Sequence, residues 1–164
     1  MTELDSPVVS TPEVHSHAQV TQADVRPSSS RTAVASGRVV LDEDAFEMVR
    51  DNRISKGDVL TVANVAGVMG AKRTSLLLPL CHDVVLQNVE LDFELDETHH
   101  AVVVKAIAKT QGPTGVEMEA LTAVSIAALN IYDMCKSVSK DIMITDLHLL
   151  AKTGGISGDY RRSE

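Results

Sequence analysis

The longest helical pattern in the chain covers residues 115–140, with the sequence GVEMEALTAVSIAALNIYDMCKSVSK. Charged residues stand at both of its ends. At about 100° per residue, Glu119 and Asp133 lie about 40° apart around the axis and Lys136 about 60° further on, so one stripe carries all three. Apolar residues recur at helical spacing over the rest of the surface, so we expect most of this helix to be buried. These residues are Ala120, Leu121, Val124, Ala127, Ala128, Leu129, Ile131 and Met134.

The two charged ends are far apart along the helix axis. With a rise of about 1.5 Å per residue, Glu119 and Asp133 are separated by roughly 21 Å. This distance is too long for both to line one small-molecule site within one subunit. If both residues are functional, we therefore expect two sites or two subunits to be involved.

Composition limits the class of protein. A chain of 164 residues with 44% hydrophobic content suits a single domain with one core. Two Phe, two Tyr, no Trp and a formal net charge of −8 argue against nucleic acid as a partner. The sequence shows neither an unbroken apolar run of about 18 residues nor a basic, then apolar N-terminus, so we expect no membrane insertion and no export.

Cysteine and histidine are the candidate metal ligands in this sequence. Cys81 and Cys135 lie in apolar contexts without CxxC spacing, which favours reduced thiols in a cytoplasmic protein over a disulfide or a structural zinc site. His15 and His17 could pair on a metal, but no carboxylate or cysteine stands at matching spacing, and a solvated tail is favoured. No metal site is therefore expected.

The start of the chain predicts an arm followed by an ordered domain. Prolines and serines interrupt every short apolar pattern in residues 1–30, which are predicted to form a flexible N-terminal arm. Residues 31–164 are predicted to form a single domain. It should begin with a strand over residues 31–41, after which Asp42 caps a short helix.

A second helix is predicted to begin near Asp58. Its small residues would let another backbone approach closely, either a sheet in the same subunit or a helix from a neighbour. After it, Pro79 should place Cys81 and His82 on extended backbone at the edge of the core. The apolar residues at helical spacing are Val59, Val62, Val65, Ala66 and Met69, and the small ones are Ala63, Ala66, Gly67, Gly70 and Ala71.

The second half of the chain predicts an antiparallel sheet. Residues 84–95 and 101–110 read as the two strands of a hairpin, with exposed His99 and His100 in its turn. A last strand follows the long helix. The order strand, helices, strand, strand, long helix, strand predicts an α+β domain of split βαβ type, with an antiparallel sheet covered by helices.

The candidate functional residues are dispersed along the chain. The sequence contains no GxxxxGK[ST], GxGxxG, HExxH or GxSxG motif. Lys56, Lys136 and Lys152 each stand at the edge of a predicted element, accompanied by His82 and Asp133. Such a set suits a polyanionic small substrate, because lysines balance phosphate charge and a neighbouring Asp or Lys transfers protons. The simpler alternative is that these lysines are solvated surface charges.

Six strings in the chain resemble those of the cyclic pyranopterin monophosphate synthase family, which catalyses the second step of molybdenum cofactor biosynthesis. They are long, ordered and specific as a set, and the resemblance covers residues 31–160. The strings are KGDV at 56–59, AKRT at 71–74, LPLCH at 78–82, TGVEMEALTAVS at 114–125, IYDMCK at 131–136 and AKTGGISGDY at 151–160.

The resemblance implies a fold, an assembly and an activity. The family has a ferredoxin-like βαββαβ fold and forms a homohexamer, a trimer of dimers with active sites at the dimer interface. Its members are lyases that convert (8S)-3′,8-cyclo-7,8-dihydroguanosine 5′-triphosphate into cyclic pyranopterin monophosphate and release pyrophosphate. No resident cofactor is implied, and whether Mg²⁺ accompanies the triphosphate stays open.

The resemblance also assigns roles to residues. Asp133 and Lys136 match the family's catalytic acid/base pair, assisted by Lys56. A lysine whose pKa is lowered by neighbouring cations would suit this chemistry. The positions that match substrate-binding strings are Leu80, Cys81, His82, Met118 and Glu119, and those that match triphosphate-binding positions are Arg31 and Lys152.

The chain departs from the family pattern in three places: the residues before Arg31, Asn64 in place of a common arginine, and Asp83 in place of a common proline. We expect Asp83 to point to solvent. The departures leave a rival interpretation, in which the chain is a catalytically silent relative that binds a pterin or a partner protein. A third is a ligand-binding regulatory module of the same fold.

Overall fold

The computed structural model describes residues 18–19 and 27–163. The first strand begins at Ser29, two residues before the predicted domain boundary. Most of the predicted arm, with His15 and His17, lies outside the described residues. The elements are β1 (Ser29–Val40), α1 (Glu43–Arg50), α2 (Val59–Ala71), α3 (Thr74–Leu77), β2 (Leu86–Asp96), β3 (Ala101–Gly112), α4 (Glu117–Cys135), β4 (Met143–Thr153) and β5 (Tyr160–Arg161).

The five strands form one antiparallel sheet in the order β2-β3-β1-β4-β5. Without the two-residue β5, this is the strand order of a ferredoxin-like βαββαβ fold, in which α2 and α4 are the main connecting helices. The predicted α+β fold is therefore confirmed.

The predicted hairpin is confirmed, with one correction in its turn. Strands β2 and β3 are antiparallel: Leu86 pairs with Thr110 at one end and Asp96 with Ala101 at the other, next to a turn at residues 97–100. His99 is exposed, but His100 is half-buried, because its ring packs on Phe46 with centroids 5.5 Å apart.

Small residues bring α4 close to the sheet. Ala33 and Ala35 of β1 are fully buried beneath the helix layer, and Gly37 follows on the same face. A Cβ at Gly37 would lie 2.8 Å from a methyl group of Val124, so glycine is required for this approach. The four alternating residues predicted for β3 are also fully buried: Val102, Val104, Ala106 and Ala108.

The small residues of α2 pack mainly against α4, a helix of the same subunit that was neither of the two predicted neighbours. A Cβ at Gly67 would lie 3.0 Å from the Ala123 carbonyl, so the two backbones are close. The larger apolar residues of α2 therefore point away from this contact. Val62, Val65 and Met69 are 42%, 57% and 45% exposed, although their spacing is typical of a buried face.

The long helix is shorter than predicted. It ends at Cys135, and the N–H groups of Val138 and Ser139 both donate to the Cys135 carbonyl, which forms a turn. Lys136 is consequently the C-cap. The four-residue α3 and two-residue β5 were not predicted, because such short elements carry no periodic pattern. Among the described residues, no helix is long and apolar enough to cross a membrane.

Candidate active site

The three predicted catalytic residues meet at the C-terminal end of α4. Lys56 Nζ donates to the Asp133 carboxylate at 2.9 Å and to the Asp133 backbone carbonyl at 2.8 Å. Lys136 Nζ lies 2.6 Å from the other carboxylate oxygen. Asp133 is thus held between two ammonium groups, and we call these residues the Lys–Asp–Lys cluster.

Local structure explains how Lys56 reaches α4. The Gly57 N–H donates to the Ile54 carbonyl at 3.0 Å, and Gly57 has φ +111°, a conformation that favours glycine. Asp58 then caps α2 by accepting from the Thr61 N–H at 3.0 Å. Lys56 is therefore held in a tight turn between Ile54 and the capped start of α2.

The electrostatics of the cluster differ from the expectation for Lys136. Hydrogen bonds from Lys136 and Lys56 lower the pKa of Asp133 to about 2, so the carboxylate is ionised at neutral pH. The same contact raises the pKa of Lys136. The expected lowering is wrong for Lys136 within one subunit, because its nearest charged group is a carboxylate rather than a cation.

The Lys–Asp–Lys cluster lies on an open surface. The side chains of Lys56, Asp133 and Lys136 are 42%, 53% and 56% exposed. Electrostatic catalysis is most effective where water is excluded. The described part of one subunit therefore supplies charged groups at this end of α4 but not an enclosed site.

The opposite end of α4 borders a cavity of about 330 Å³, which we call the ring cavity. All five residues that the substrate-binding strings predicted line it, three from the segment after α3 and two from the first turn of α4. The Thr110 hydroxyl donates to the Val85 carbonyl at 2.7 Å, which ties this segment to β3. The five residues are Leu80, Cys81, His82, Met118 and Glu119.

Burial controls the charge state in the ring cavity. Glu119 is only 4% exposed, and its pKa is raised by burial and by the neighbouring Glu117 carboxylate. Burial also raises the pKa of the Cys81 thiol, with a further contribution from Glu119. Cys81 is therefore protonated at neutral pH, which suits a binding contact better than a nucleophile.

A second cavity of about 180 Å³, the phosphate cavity, contains both predicted triphosphate-binding residues, Arg31 and Lys152. Register explains their proximity: Arg31 is near the start of β1, and Lys152 pairs with Ala33 at the end of β4. Arg31 is 7% exposed and donates to the carbonyls of Gly112 and Pro113 at 3.3 and 3.4 Å. Its guanidinium is therefore fixed beside the cavity.

The loop after β4 closes the phosphate cavity with glycines. Gly154 and Gly155 have φ +84° and +94°, which L side chains rarely adopt. A Cβ at Gly155 would overlap Nη1 of Arg31. Gly155 therefore provides both the turn and the space that the guanidinium occupies.

The two cavities adjoin each other, since Gly115 and Glu117 line both. Neither residue was predicted as part of the site, although both stand in the string TGVEMEALTAVS, just before the predicted Met118 and Glu119. The other lining residues were also missed: Val84 and Thr114 in the ring cavity, and Thr32, Pro113, Thr153, Gly154, Gly155, Ile156 and Ser157 in the phosphate cavity.

The structure thus brings the predicted residues together in two groups rather than one. Helix α4 is continuous from Glu117 to Cys135. The axial separation of roughly 21 Å between Glu119 and Asp133 therefore applies within a subunit. The described residues contain no group of three His, Cys, Asp or Glu side chains that could hold a metal ion.

Two of the three family departures, Asn64 and Asp83, lie outside both cavities, whereas most of the residues before Arg31 lie outside the described part of the chain. Asp83 is exposed and accepts a hydrogen bond from the Ser75 hydroxyl of α3, which agrees with the expectation that it points to solvent. Asn64 is on the exposed side of α2. Neither residue lines the ring cavity or the phosphate cavity.

Comparison with known proteins identifies the family. The MoaC family model matches residues 20–155. The chain belongs to the MoaC family. A cyclic pyranopterin monophosphate synthase from Salinibacter ruber is 54% identical over 157 residues, 96% of this chain and 92% of that protein. The protein of the same name from Heliobacterium modesticaldum is 54% identical over 147 residues, 90% of this chain and 92% of that protein.

A longer relative contains the same region. Molybdenum cofactor biosynthesis protein 1 from Mus musculus is 51% identical over 152 residues, which is 92% of this chain and 24% of the mouse protein. These names confirm the family that the motifs predicted. The relatives that match over nearly their whole length are named for one enzymatic activity.

Proposed function

We propose that this MoaC family member is a lyase of molybdenum cofactor biosynthesis. It converts (8S)-3′,8-cyclo-7,8-dihydroguanosine 5′-triphosphate into cyclic pyranopterin monophosphate and releases pyrophosphate. The observation that carries the proposal is that all seven residues predicted to bind substrate line two adjoining cavities. A triphosphate attached to a fused ring system requires such a pair of neighbouring subsites.

The phosphate cavity suits the triphosphate. Arg31 and Lys152 supply two positive charges, and the guanidinium is held in place by backbone carbonyls. Closing the cyclic phosphate forms a new bond from a sugar oxygen to the α-phosphorus and breaks the bond between that phosphorus and the pyrophosphate oxygen. Cations beside the departing pyrophosphate stabilise the charge that it gains.

The ring cavity suits the guanine-derived ring. Met118 and Leu80 offer apolar contacts, while the Glu119 carboxyl group and His82 offer polar ones. A buried carboxylate accepts hydrogen bonds from ring N–H groups more strongly than an exposed one, because the surrounding dielectric is lower. This cavity therefore orients the ring next to the phosphate chain.

The Lys–Asp–Lys cluster is proposed to transfer the protons that the ring rearrangement requires. Asp133 is ionised, and Lys136 carries a proton that it can donate as a general acid. Lys56 stabilises the carboxylate from the other side. If the arriving triphosphate drew one ammonium group away from Asp133, the balance between the acid and the base would change.

We further propose that each complete site is formed by two subunits of a homohexamer built as a trimer of dimers. Within one subunit the cluster and the cavities are at opposite ends of α4, roughly 21 Å apart. A twofold axis across the helix would bring the cluster of one copy to the cavities of the next. Exposed apolar residues on α2 and Leu129 of α4, which is 55% exposed, support a contact between copies.

The proposal includes no resident cofactor, and any Mg²⁺ would arrive with the triphosphate. A cytoplasmic location is also proposed, supported by the free thiols of Cys81 and Cys135.

A product assay tests the function. Purified protein is incubated with the cyclised dihydroguanosine triphosphate, with and without Mg²⁺, and cyclic pyranopterin monophosphate and pyrophosphate are quantified. Equal amounts of the two products are expected. A folded protein that binds the substrate but yields neither product would refute the lyase and favour the catalytically silent relative.

A further inference from the structure

Glu117 occupies the boundary between the two cavities. It is the first residue of α4 and lines both the phosphate cavity and the ring cavity. A carboxylate at this position is favoured by the helix dipole. It nevertheless places a negative charge beside the proposed site of a polyanion, so its presence there requires an explanation.

The partner of Glu117 is one of the two cations of the phosphate cavity. Lys152 Nζ donates to Oε1 of Glu117 at 3.0 Å. The two side chains are only 26% and 28% exposed, so the pair is partly shielded from water. In this arrangement, Lys152 cannot give its full charge to a phosphate chain unless it loosens its contact with Glu117.

Gly115 provides the space for this carboxylate. A Cβ at position 115 would overlap the Glu117 carboxylate, which folds back over the glycine. Gly115 does not have a positive φ, so its backbone conformation does not require glycine. The absence of a side chain at this position therefore serves the placement of Glu117.

We propose that Glu117 is a positioning residue, which holds Lys152 between the two cavities and competes with phosphate oxygens for its ammonium group. This competition limits how tightly the cavity retains a phosphate chain and so favours pyrophosphate release. The inference rests on the proposed function in one respect, namely that the cavity binds phosphates.

The test is the affinity for inorganic triphosphate, measured by calorimetry on the intact protein. Glu117→Gln keeps the size of the side chain and removes its charge, so Lys152 is free to contact the anion. We expect the Kd to fall about tenfold. If Glu117 were only structural, its loss would misplace Lys152, and the Kd would rise or stay unchanged; either result overturns the proposal.

Two further variants make the result specific. In Lys152→Met, the added Glu117→Gln change relieves only the direct repulsion between the carboxylate and the anion, so it should tighten binding less than in the otherwise unaltered protein. Tightening as large as, or larger than, that in the protein with Lys152 would contradict the proposal. Glu119→Gln is the matched control: it removes a nearby carboxylate that does not contact Lys152, and it should change the Kd less than Glu117→Gln.

A second variant tests the same proposal if Glu117→Gln does not fold. Gly115→Ala should push the Glu117 carboxylate away from its present position and also tighten triphosphate binding. Weaker binding by a folded Gly115→Ala protein would count against the proposal. Product formation by the unaltered protein is measured separately, so failure of the lyase function and failure of this inference give different results.

Discussion

The two ends of α4 hold their charged residues in opposite ways. At the N-terminal end, Arg31 and Glu119 are 7% and 4% exposed and border two cavities. At the C-terminal end, the Lys–Asp–Lys cluster is paired within itself and is open to water. The first end has two formed cavities within one subunit. The second has charged groups on an open surface, and under the proposed function another subunit would enclose them.

The carboxyl groups at the two ends show the same contrast. Two ammonium groups lower the pKa of Asp133 to about 2, whereas burial raises the pKa of Glu119. One helix therefore carries a carboxylate that its neighbours stabilise and another that its surroundings destabilise. This difference agrees with the proposed roles, proton transfer at the C-terminal end and ligand binding at the N-terminal end.

The largest effect is expected at the open end. Lys136→Ala removes the proposed general acid and should lower kcat by roughly 10²–10⁴-fold, measured by product formation. Lys140→Ala is the control, since Lys140 is an exposed lysine just beyond the same end of the helix. Unchanged turnover in Lys136→Ala would remove the C-terminal end from the mechanism.

The second prediction concerns the enclosed end. Gly155→Ala should displace the Arg31 guanidinium and lower kcat/KM by roughly 10–100-fold, because a charged contact to phosphate is lost. Gly158→Ala is the control: this residue is in the same loop with φ +71°, but a Cβ there meets no atom within 4 Å. If both variants lose the same activity, backbone strain rather than Arg31 explains the loss.

A third prediction compares the two carboxyl groups through stability. The raised pKa of Glu119 means that the folded state binds a proton more tightly than the unfolded state, in which the pKa is near 4.5. Ionisation of Glu119 therefore lowers the free energy of unfolding as the pH rises above about 4.5. Glu119→Gln should therefore raise Tm at pH 7 and raise it less at pH 4. Thermal unfolding at both pH values measures this difference.

The same experiment with Asp133→Asn should have the opposite sign. The pKa of Asp133 is lowered from 3.8 to about 2, so its stabilising contribution is complete above about pH 4 and is lost as the pH falls towards 2. Asp133→Asn should therefore lower Tm at pH 7, with a difference that disappears in acid. Equal signs for the two variants would contradict the comparison between the ends.

The smallest predicted effect concerns the wall of the ring cavity. Thr110→Val removes the hydrogen bond to Val85 without changing side-chain size, which should loosen the segment that carries Cys81 and His82. We expect KM to rise roughly two- to fivefold, as for the loss of about 1 kcal/mol, with little change in kcat. Thr98→Val, in the exposed hairpin turn, should leave KM unchanged.

Much of the fold could be predicted because its signals are periodic. The alternation in β3 and the long apolar pattern of α4 identify the main elements, and Asp42 and Asp58 mark helix starts by accepting from the Ala45 and Thr61 N–H groups. The packing of α2 was less predictable. Its large apolar residues suggested the buried face, but close approach of two backbones favours the small ones.

Part of the residue set of the candidate site could be predicted, but its geometry could not. Motif resemblance selected the residues at both ends of α4. The rise per residue of a helix was enough to predict that the two groups are far apart. No sequence pattern indicated that Glu117 pairs with Lys152, because that contact depends on where β4 ends beside the first turn of α4. The Lys136 pKa also depended on a spatial neighbour, Asp133.

The central claim is that the open end of one subunit completes the enclosed end of another, and subunit mixing tests it most directly. Lys136→Ala and His82→Ala, each first checked to have little activity alone, are combined so that subunits exchange, with native mass spectrometry to confirm mixed assemblies. Shared sites predict about one quarter of the normal activity, since half of the dimers are mixed and each mixed dimer has one intact site. No recovered activity in confirmed mixed assemblies would show that each site lies within a single chain and would contradict this account.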